Sequence, residues 1–205
     1  MANQYQKQEY IDLKYVNQEK IDWDYLLQFS EAHPLWFERL EPGEYGTIFD
    51  GVSEDITGGT RVAEIKGRSE SALKYMTIII EDHKFERMKE MWKKCRIGSI
   101  YFNIFGNGSR FMLFDMPQIF ESGVEIEKKK IPIKFDDNGE VKKKLEYRYF
   151  LPVEYAYQFD SDFKRVQDST LGRTRKKCAA YVFDFNTSGG EISKKEMKGL
   201  CSTLR

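Results

Sequence analysis

The sequence predicts a single mixed α/β domain with the order αβββαββ over its first part, followed by a β-rich extension. Three observations predict it. Hydrophobic spacing switches from helical to alternating, back to helical, and to alternating again along the chain. Glycine-rich turns punctuate the alternating stretches. The 205 residues include 30 aromatics (3 Trp, 12 Tyr, 15 Phe), which need one sizeable packed interior and exclude a disordered polymer.

The elements follow in order. Trp23, Leu26, Leu27 and Ser30 fall at helical spacing and Pro34 limits the pattern, so a helix is expected over about 22–33. Residues 46–52 (GTIFDGV) and 61–66 (RVAEIK) alternate around Gly58-Gly59 and read as a hairpin. Tyr75 to Ile80 reads as a third strand. Phe85, Met88, Trp92 and Cys95 then mark one face of a helix of roughly 83–96 whose other face is Lys, Glu and Arg. Ser99–Phe105 and Arg110–Asp115 are aromatic-rich strands joined at Gly106-Asn107-Gly108. Beyond Pro117 come a charged strand near 124–134, a turn at Asp137-Asn138-Gly139 and a strand to about Phe150. A short helix from Pro152, a strand at 179–185 and an amphipathic tail from Glu191 follow. No internal repeat or low-complexity linker divides residues 1–205, so one domain is expected.

Charge and composition narrow the function. The longest near-apolar run, Met76 to Ile80, is five residues, against about 20 for a membrane-spanning helix. The start, MANQYQKQEY, has neither the basic residues nor the apolar stretch of a signal peptide, so a soluble, cytoplasmic protein without a membrane partner is expected. Cys95, Cys178 and Cys201 are odd in number and widely spaced, which disfavours a disulfide framework or zinc ribbon. Thirty-three basic residues balance 33 acidic ones. Overall neutrality argues against coating nucleic acid by charge alone and leaves room for a local groove.

The chemistry candidate is Asp50 with Glu64-Ile65-Lys66. Residues two apart on a strand share a face, so Glu64 and Lys66 point together beside Val62, while Asp50 interrupts an apolar row with Ile48 and Val52. A two-residue turn at Gly58-Gly59 would set Asp50 opposite Gly67, so convergence of the two acids requires a bulge, a longer loop or splayed strands. Carboxylates about 4 Å apart repel by about 4 kcal/mol at an effective dielectric of 20, and a divalent cation reverses that sign. Two hard oxygens plus waters suit Mg²⁺, with Mn²⁺ as a substitute, bridging to phosphate oxygens. The lysine adds a positive donor for the attacking water and for developing charge. The triplet alone means little, because Asp12, Asp82, Glu127, Glu140, Asp162 and Glu196 each also have Lys two residues later. What distinguishes Glu64 is a preceding strand with Asp50, a glycine turn, an apolar strand after it and then a helix. The rival set is Asp115, Glu127 and Lys129. The competing structural account is a solvated ladder of ion pairs on an exposed hairpin face.

With these motifs the chain resembles the PD-(D/E)XK, or restriction-endonuclease-like, nuclease superfamily over residues 20–116, leaving 117–205 as embellishment. The stretch from Tyr75 through Glu81, Lys84 and the following helix into IYFNIF is also similar to small nucleases of phages and mobile elements. The resemblance implies an αβββαβ core with a mixed central sheet, Mg²⁺ held by Asp50 and Glu64 with help from the Ile65 carbonyl, and Lys66 assisting water and transition state. It implies hydrolysis of phosphodiester bonds, with DNA favoured over RNA and endonuclease over exonuclease action, neither choice being fixed by the sequence, in a possible homodimer. Phe49 stands where the motif's proline would be. The family often adds a first-helix acid, for which Glu31 and Glu38 are both available. Lys84 is a candidate phosphate contact, as are Arg173, Arg175, Lys176 and Lys177, preceded by Ser169, Thr170 and Gly172. The alternatives are a catalytically inactive nuclease-fold protein that binds nucleic acid, and a phage or mobile-element assembly protein. His33 and His83, without a second ligand at metal spacing, read as structural or surface residues, and Trp36, Phe102, Phe105 and Phe111 as core.

Overall fold

The structure, a computed structural model, describes residues 2–37, 39–43, 49–54, 59–137 and 140–171. The basic cluster Arg173, Arg175, Lys176 and Lys177, the expected strand at 179–185 and the tail from Glu191 lie outside the described residues, as do Glu38, Ile48 and Gly58.

The chain is a mixed α/β protein with a mixed central sheet and a β-rich C-terminal embellishment, as the sequence predicts. It begins with helix α1 (Ala2–Ala32), followed by β1 (Arg39–Pro42), β2 (Gly51–Glu54) and β3 (Thr60–Arg68). After a 3-10 turn come β4 (Thr77–Glu81), α2 (Asp82–Cys95), β5 (Gly98–Phe105), β6 (Arg110–Asp115) and α3 (Met116–Ser122). The long hairpin β7 (Glu127–Asp137) and β8 (Glu140–Pro152), a 3-10 turn over Val153–Tyr155, β9 (Tyr157–Asp160) and β10 (Arg165–Gln167) complete it.

Among the described residues the strands form two sheets, a seven-stranded one in the order β1-β2-β3-β5-β6-β9-β10 and a three-stranded one in the order β4-β8-β7. The pair β3 and β5 is parallel and its neighbours are antiparallel. The larger sheet is covered on both faces, which explains why every residue of β5 is buried. Ile100, Phe102 and Ile104 pack with Phe111 and Leu113 against Leu26 and Phe29 of α1. The alternate residues Tyr101 and Phe105, with Met112 and Phe114, pack toward Phe85 and Met88 of α2, Ile119 of α3 and Ile78, Ile80, Tyr149 and Leu151 of the smaller sheet. Period-two alternation thus separates two apolar layers across one sheet.

Several expectations are corrected. Helix α1 starts some twenty residues earlier than its apolar spacing indicates, because residues 2–21 are mostly polar and carry no apolar stripe. Asp50 lies in a bend just before β2 rather than within a strand. The strand β4 leaves the central sheet and pairs with β8, from Thr77↔Pro152 to Glu81↔Arg148. On α2 the buried set is Phe85, Met88 and Met91, with Trp92 only partly covered. Helix α3, β9, β10 and β1 were not read from sequence; Pro117 sits in the first turn of α3, where its missing amide costs nothing.

The turn at 106–108 follows its sequence signal: Gly106, Asn107 and Gly108 have φ of 51°, 55° and 92°, a left-handed run that suits Gly and Asn. A side chain on Gly108 would meet the Tyr25 ring at 2.5 Å, and the Tyr25 hydroxyl donates to the Asn107 carbonyl. This clamps α1 to the β5–β6 turn. Farther along α1, Phe29 is fully buried, with ring centroids 4.9 Å from Phe102 and 4.8 Å from Phe159. Phe29→Ala is expected to cost about 3–5 kcal/mol by opening a cavity under the sheet, read from urea unfolding at unchanged slope; a loss below about 1 kcal/mol would show that α1 is not anchored there.

Candidate active site

The site grows from the place where β2 stops. The β2–β3 register runs from Glu54↔Thr60 to Gly51↔Ala63, so the connection is a longer loop rather than the two-residue turn. Asp50 is thereby brought level with Glu64 instead of Gly67. Its Oδ2 accepts the Ile65 amide at 2.6 Å, taking over the donor that β2 no longer pairs. The Asp50 carbonyl in turn accepts the Gly43 amide at 2.7 Å.

Glu64 and Lys66 lie on the α2 side of β3, as their spacing predicts. Glu64 is 1% exposed. One of its carboxylate oxygens is ion-paired with Lys84 at the start of α2, and the other, Oε2, has no hydrogen-bond partner among the described residues. Lys66 is half-exposed and lies 3.8 Å from Glu81 Oε1 at the end of β4. Arg68, further along, donates to Asn103 Oδ1, the Ile79 carbonyl and the Tyr101 hydroxyl, each at 2.6 Å. This part-buried bracket ties β3 to β4, so the departing strand is held beside the site.

From the opposite face α1 contributes Asp22. Gln18 Nε2 donates to Asp22 Oδ1 at 2.8 Å, and the Gly67 amide also donates to the carboxylate. A Cβ on Gly67 would stand 2.8 Å from Asp22 Oδ2, so glycine there permits this approach. Asp22, Asp50, Glu64, Lys66 and Lys84 line one open cleft of about 550 Å³, with Gln18, Glu19, Arg68 and Asn107 around its rim.

The electrostatics mark Glu64 as the strained member. Burial, reinforced by the charges of Asp50 and Glu81 against the pull of Lys84, pushes its carboxyl up to about 7. Burial also raises Asp22, helped by the charge of Asp50. Glu81 is held below its ordinary range: burial pushes it up, but Lys66, Lys84 and Arg148 together outweigh that. Lys84 is raised, because Glu64, Glu81 and Asp50 overcome its burial.

Asp50, Glu64, Lys66 and Lys84 are therefore brought together, Lys84 as the partner of Glu64 rather than an outlying contact. The rival set is not assembled. Asp115 is buried and accepts from Gln118 Nε2 at 2.8 Å, whereas Glu127 is exposed and paired with Lys129 at 2.7 Å. Glu31 is exposed and does not line the cleft; the acids of α1 that do are Asp22 and Glu19, roughly two and a half and three turns nearer the N-terminus. Asp22 and Arg68 escaped sequence reasoning, and Glu81 entered it only as part of the stretch similar to small nucleases, without a role. A signal existed for Asp22 in Gln18 one turn before it, but nothing in sequence pairs it with Gly67. His33 is structural, its Nε2 2.7 Å from the Phe163 carbonyl, and Phe102, Phe105 and Phe111 are core.

Among the described residues no three Asp, Glu, His or Cys side chains form a metal-binding cluster. The donor set still fits Mg²⁺, which is commonly held by one or two carboxylates plus waters and substrate phosphate. Glu64 Oε2 is a buried oxygen lacking a partner among the described residues, and Asp50 stands close enough for its charge to raise Glu64.

No family model matches the chain, and no curated protein matches it. Among solved structures it is similar to Hjc, a Holliday junction resolvase of the hyperthermophilic archaeon Archaeoglobus fulgidus. Identity is 10%, 65% of this chain and 81% of that chain are covered, and the TM-score is 0.37.

The raised Glu64 sets a pH dependence of stability. The folded state binds this proton more tightly than the unfolded chain, so the stabilisation is complete below about pH 4.5 and is lost as pH rises through about 7. The expected loss is at most about 3 kcal/mol. Thermal midpoints of wild type in chelator should fall across this window more steeply than those of Glu64→Gln; parallel curves would contradict the burial of an ionisable Glu64.

Proposed function

We propose that the protein is a metal-dependent nuclease of the PD-(D/E)XK kind, hydrolysing phosphodiester bonds, with DNA as the favoured substrate and internal cleavage as the favoured mode. The observation that carries this is the buried Glu64 carboxylate, with one oxygen unpartnered, beside Asp50 in an open cleft that also presents Lys66. Asp50 and Glu64 are the residues that would hold Mg²⁺ or Mn²⁺. Such an ion, when bound, polarises the phosphodiester and lowers the pKa of a coordinated water.

The chain's own residues do the remaining work. The Ile65 amide fixes the Asp50 carboxylate, leaving Oδ1 for a ligand. Lys84 holds Glu64 in place and offsets its charge when the site is empty of cations. Lys66, half-exposed and only 3.8 Å from Glu81, is poised to orient the attacking water and to stabilise charge developing at phosphorus. Asp22 adds a further carboxylate from α1, so the cleft has acids on both sides of the sheet edge.

One observation favours a second account, in which the fold binds nucleic acid without cleaving it: Lys84 already occupies one carboxylate oxygen of Glu64 in the absence of a cation. Incubation with supercoiled DNA, linear DNA and RNA, with and without Mg²⁺ or Mn²⁺, separates the two. Cleavage that needs the cation is expected, and its absence with every substrate would leave the binding account.

Three variants sharpen the test. Mg²⁺ or Mn²⁺ should raise the melting temperature by binding the folded state, and Asp50→Asn or Glu64→Gln should abolish the rise; equal rises in all three proteins would remove these acids from the metal site. Lys66→Ala should keep the fold and the metal-induced rise while single-turnover cleavage drops about 100-fold or more, in line with losing one preorganised transition-state group. Cleavage at the wild-type rate would remove Lys66 from the chemistry.

A further inference from the structure

The hairpin of β7 and β8 leaves the body of the protein beside the cleft. Strand β4 covers β8 only from Arg148 to Pro152, with Glu81, the partner of Lys66, opposite Arg148. From Tyr147 back to Glu140, β8 pairs with β7 alone among the described strands. At about 3.4 Å per residue this free ribbon of eight residues a strand reaches roughly 25 Å, twice the width of the DNA major groove.

Its composition is unlike that of the rest. Residues 128–134 read KKKIPIK and residues 142–148 read KKKLEYR, eight basic side chains against one acidic along the base and middle of the hairpin, while Asp136, Asp137 and Glu140 lie at its tip. The register places Lys134 opposite Lys143, and like charges at facing positions destabilise a ribbon; Lys129 and Arg148, also opposite each other, are offset within their own strands by Glu127 and Glu146, each at 2.7 Å. A two-stranded ribbon is marginal in water even without that cost.

One face carries the features of a binding surface. Lys128 and Lys130 on β7 share it with Lys143, Leu145 and Tyr147 on β8. Leu145 is 57% and Tyr147 50% exposed, and the ammonium groups of Lys128 and Lys130 stand 5.3 and 5.6 Å from the Tyr147 ring centre. Two residues further on, Tyr149 belongs to the same face and stacks on Phe85 of α2 at 3.9 Å. The face therefore runs on from the packed core and becomes uncovered beyond the start of α2, where Lys128 pairs with Asp82 at 2.6 Å, two residues from Lys84.

We propose that the β7–β8 ribbon is a nucleic-acid-binding arm that lies along the phosphate backbone of the duplex entering the cleft. Its lysines meet phosphates, and Tyr147 and Leu145 pack against sugars. The charge complementarity is with a polyanion, and the partner relieves the facing like charges. Lysines are mobile point charges rather than bidentate readers of base edges, so the arm positions the duplex without selecting sequence. This rests on the nuclease reading for the identity of what enters the cleft.

The test is anisotropy of a labelled duplex titrated at several salt concentrations, in the Asp50→Asn background so that the duplex stays intact. The arm variant is Lys128→Gln, Lys130→Gln, Lys143→Gln, all on the face described, and the charge-matched control is Lys93→Gln, Lys94→Gln, Lys164→Gln; melting curves confirm that each folds, and Lys143→Gln alone serves if the triple variant does not. The arm variant should bind at least 10-fold more weakly, with the slope of log affinity against log salt reduced by about 2–3, or by about 0.9 for the single variant; the control should change less than 2-fold. An unchanged slope, an equal loss in the control, or loss of binding to anionic vesicles with duplex binding intact would overturn the arm. Cleavage of DNA by the wild type with an unchanged slope would remove the arm and keep the nuclease, whereas arm-dependent binding with no cleavage under any metal would remove the nuclease and keep the arm.

Discussion

Placing the Glu64 carboxylate inside the protein is the constraint around which the rest is arranged. A charge taken from water into a packed layer is costly unless a partner sits against it, and the partner here is Lys84. Lys84 is in position only because α2 begins at Asp82, directly after β4, and is pressed to the sheet by Phe85, Met88 and Met91. The apolar layer on that side of the sheet thus fixes an ion pair, and the ion pair fixes one wall of the cleft. Arg68 extends the same dependence: its bonds to Asn103, Tyr101 and the Ile79 carbonyl hold β4 in place, and β4 delivers Glu81 to Lys66.

The cleft exists because β2 is short. Had its ladder with β3 continued past Ala63, the Ile65 amide would be paired within the sheet and Asp50 would have no seat. Ending β2 at Gly51 opens a notch in the sheet edge, and through the notch the two faces communicate. Asp22 from the α1 face and Glu64 from the α2 face thereby border one cavity, although their strands and helices belong to separate apolar layers. Gly67 completes the notch by admitting Asp22 where a Cβ would collide with it. Burial, reinforced by the neighbouring charge of Asp50, pushes Glu64 and Asp22 up, and in the proposed reading a cation beside these carboxylates would offset that cost.

Departure of β4 from the central sheet gives the C-terminal embellishment its role. By pairing with β8, β4 joins the region after residue 117 to the site instead of leaving it as a separate appendage. The same pairing ends at Glu81 and so sets where the β7–β8 ribbon becomes free, at the border of the cleft rather than at the far end of the molecule.

What the sequence by itself determined was whatever depends on local spacing and local backbone preference. The alternation of β3 put Glu64 and Lys66 on one face, the period of α2 set most of its buried residues, and Gly106-Asn107-Gly108 set a turn whose positive φ values glycine and asparagine tolerate. Tertiary structure alone decided the rest. The β2–β3 register depends on loop length and not on the Gly-Gly pair, so the approach of Asp50 to Glu64 could not be fixed from residue spacing. The N-terminal reach of α1 had no apolar stripe to announce it. Asp22 and Glu81 enter through contacts between elements far apart in the chain, and Lys84 became the partner of Glu64 because packing, with no trace in periodicity, chose which end of α2 meets β3. Spacing specifies the face of each element, whereas pairing across elements is chosen by the summed burial of two apolar layers, a quantity no local window contains.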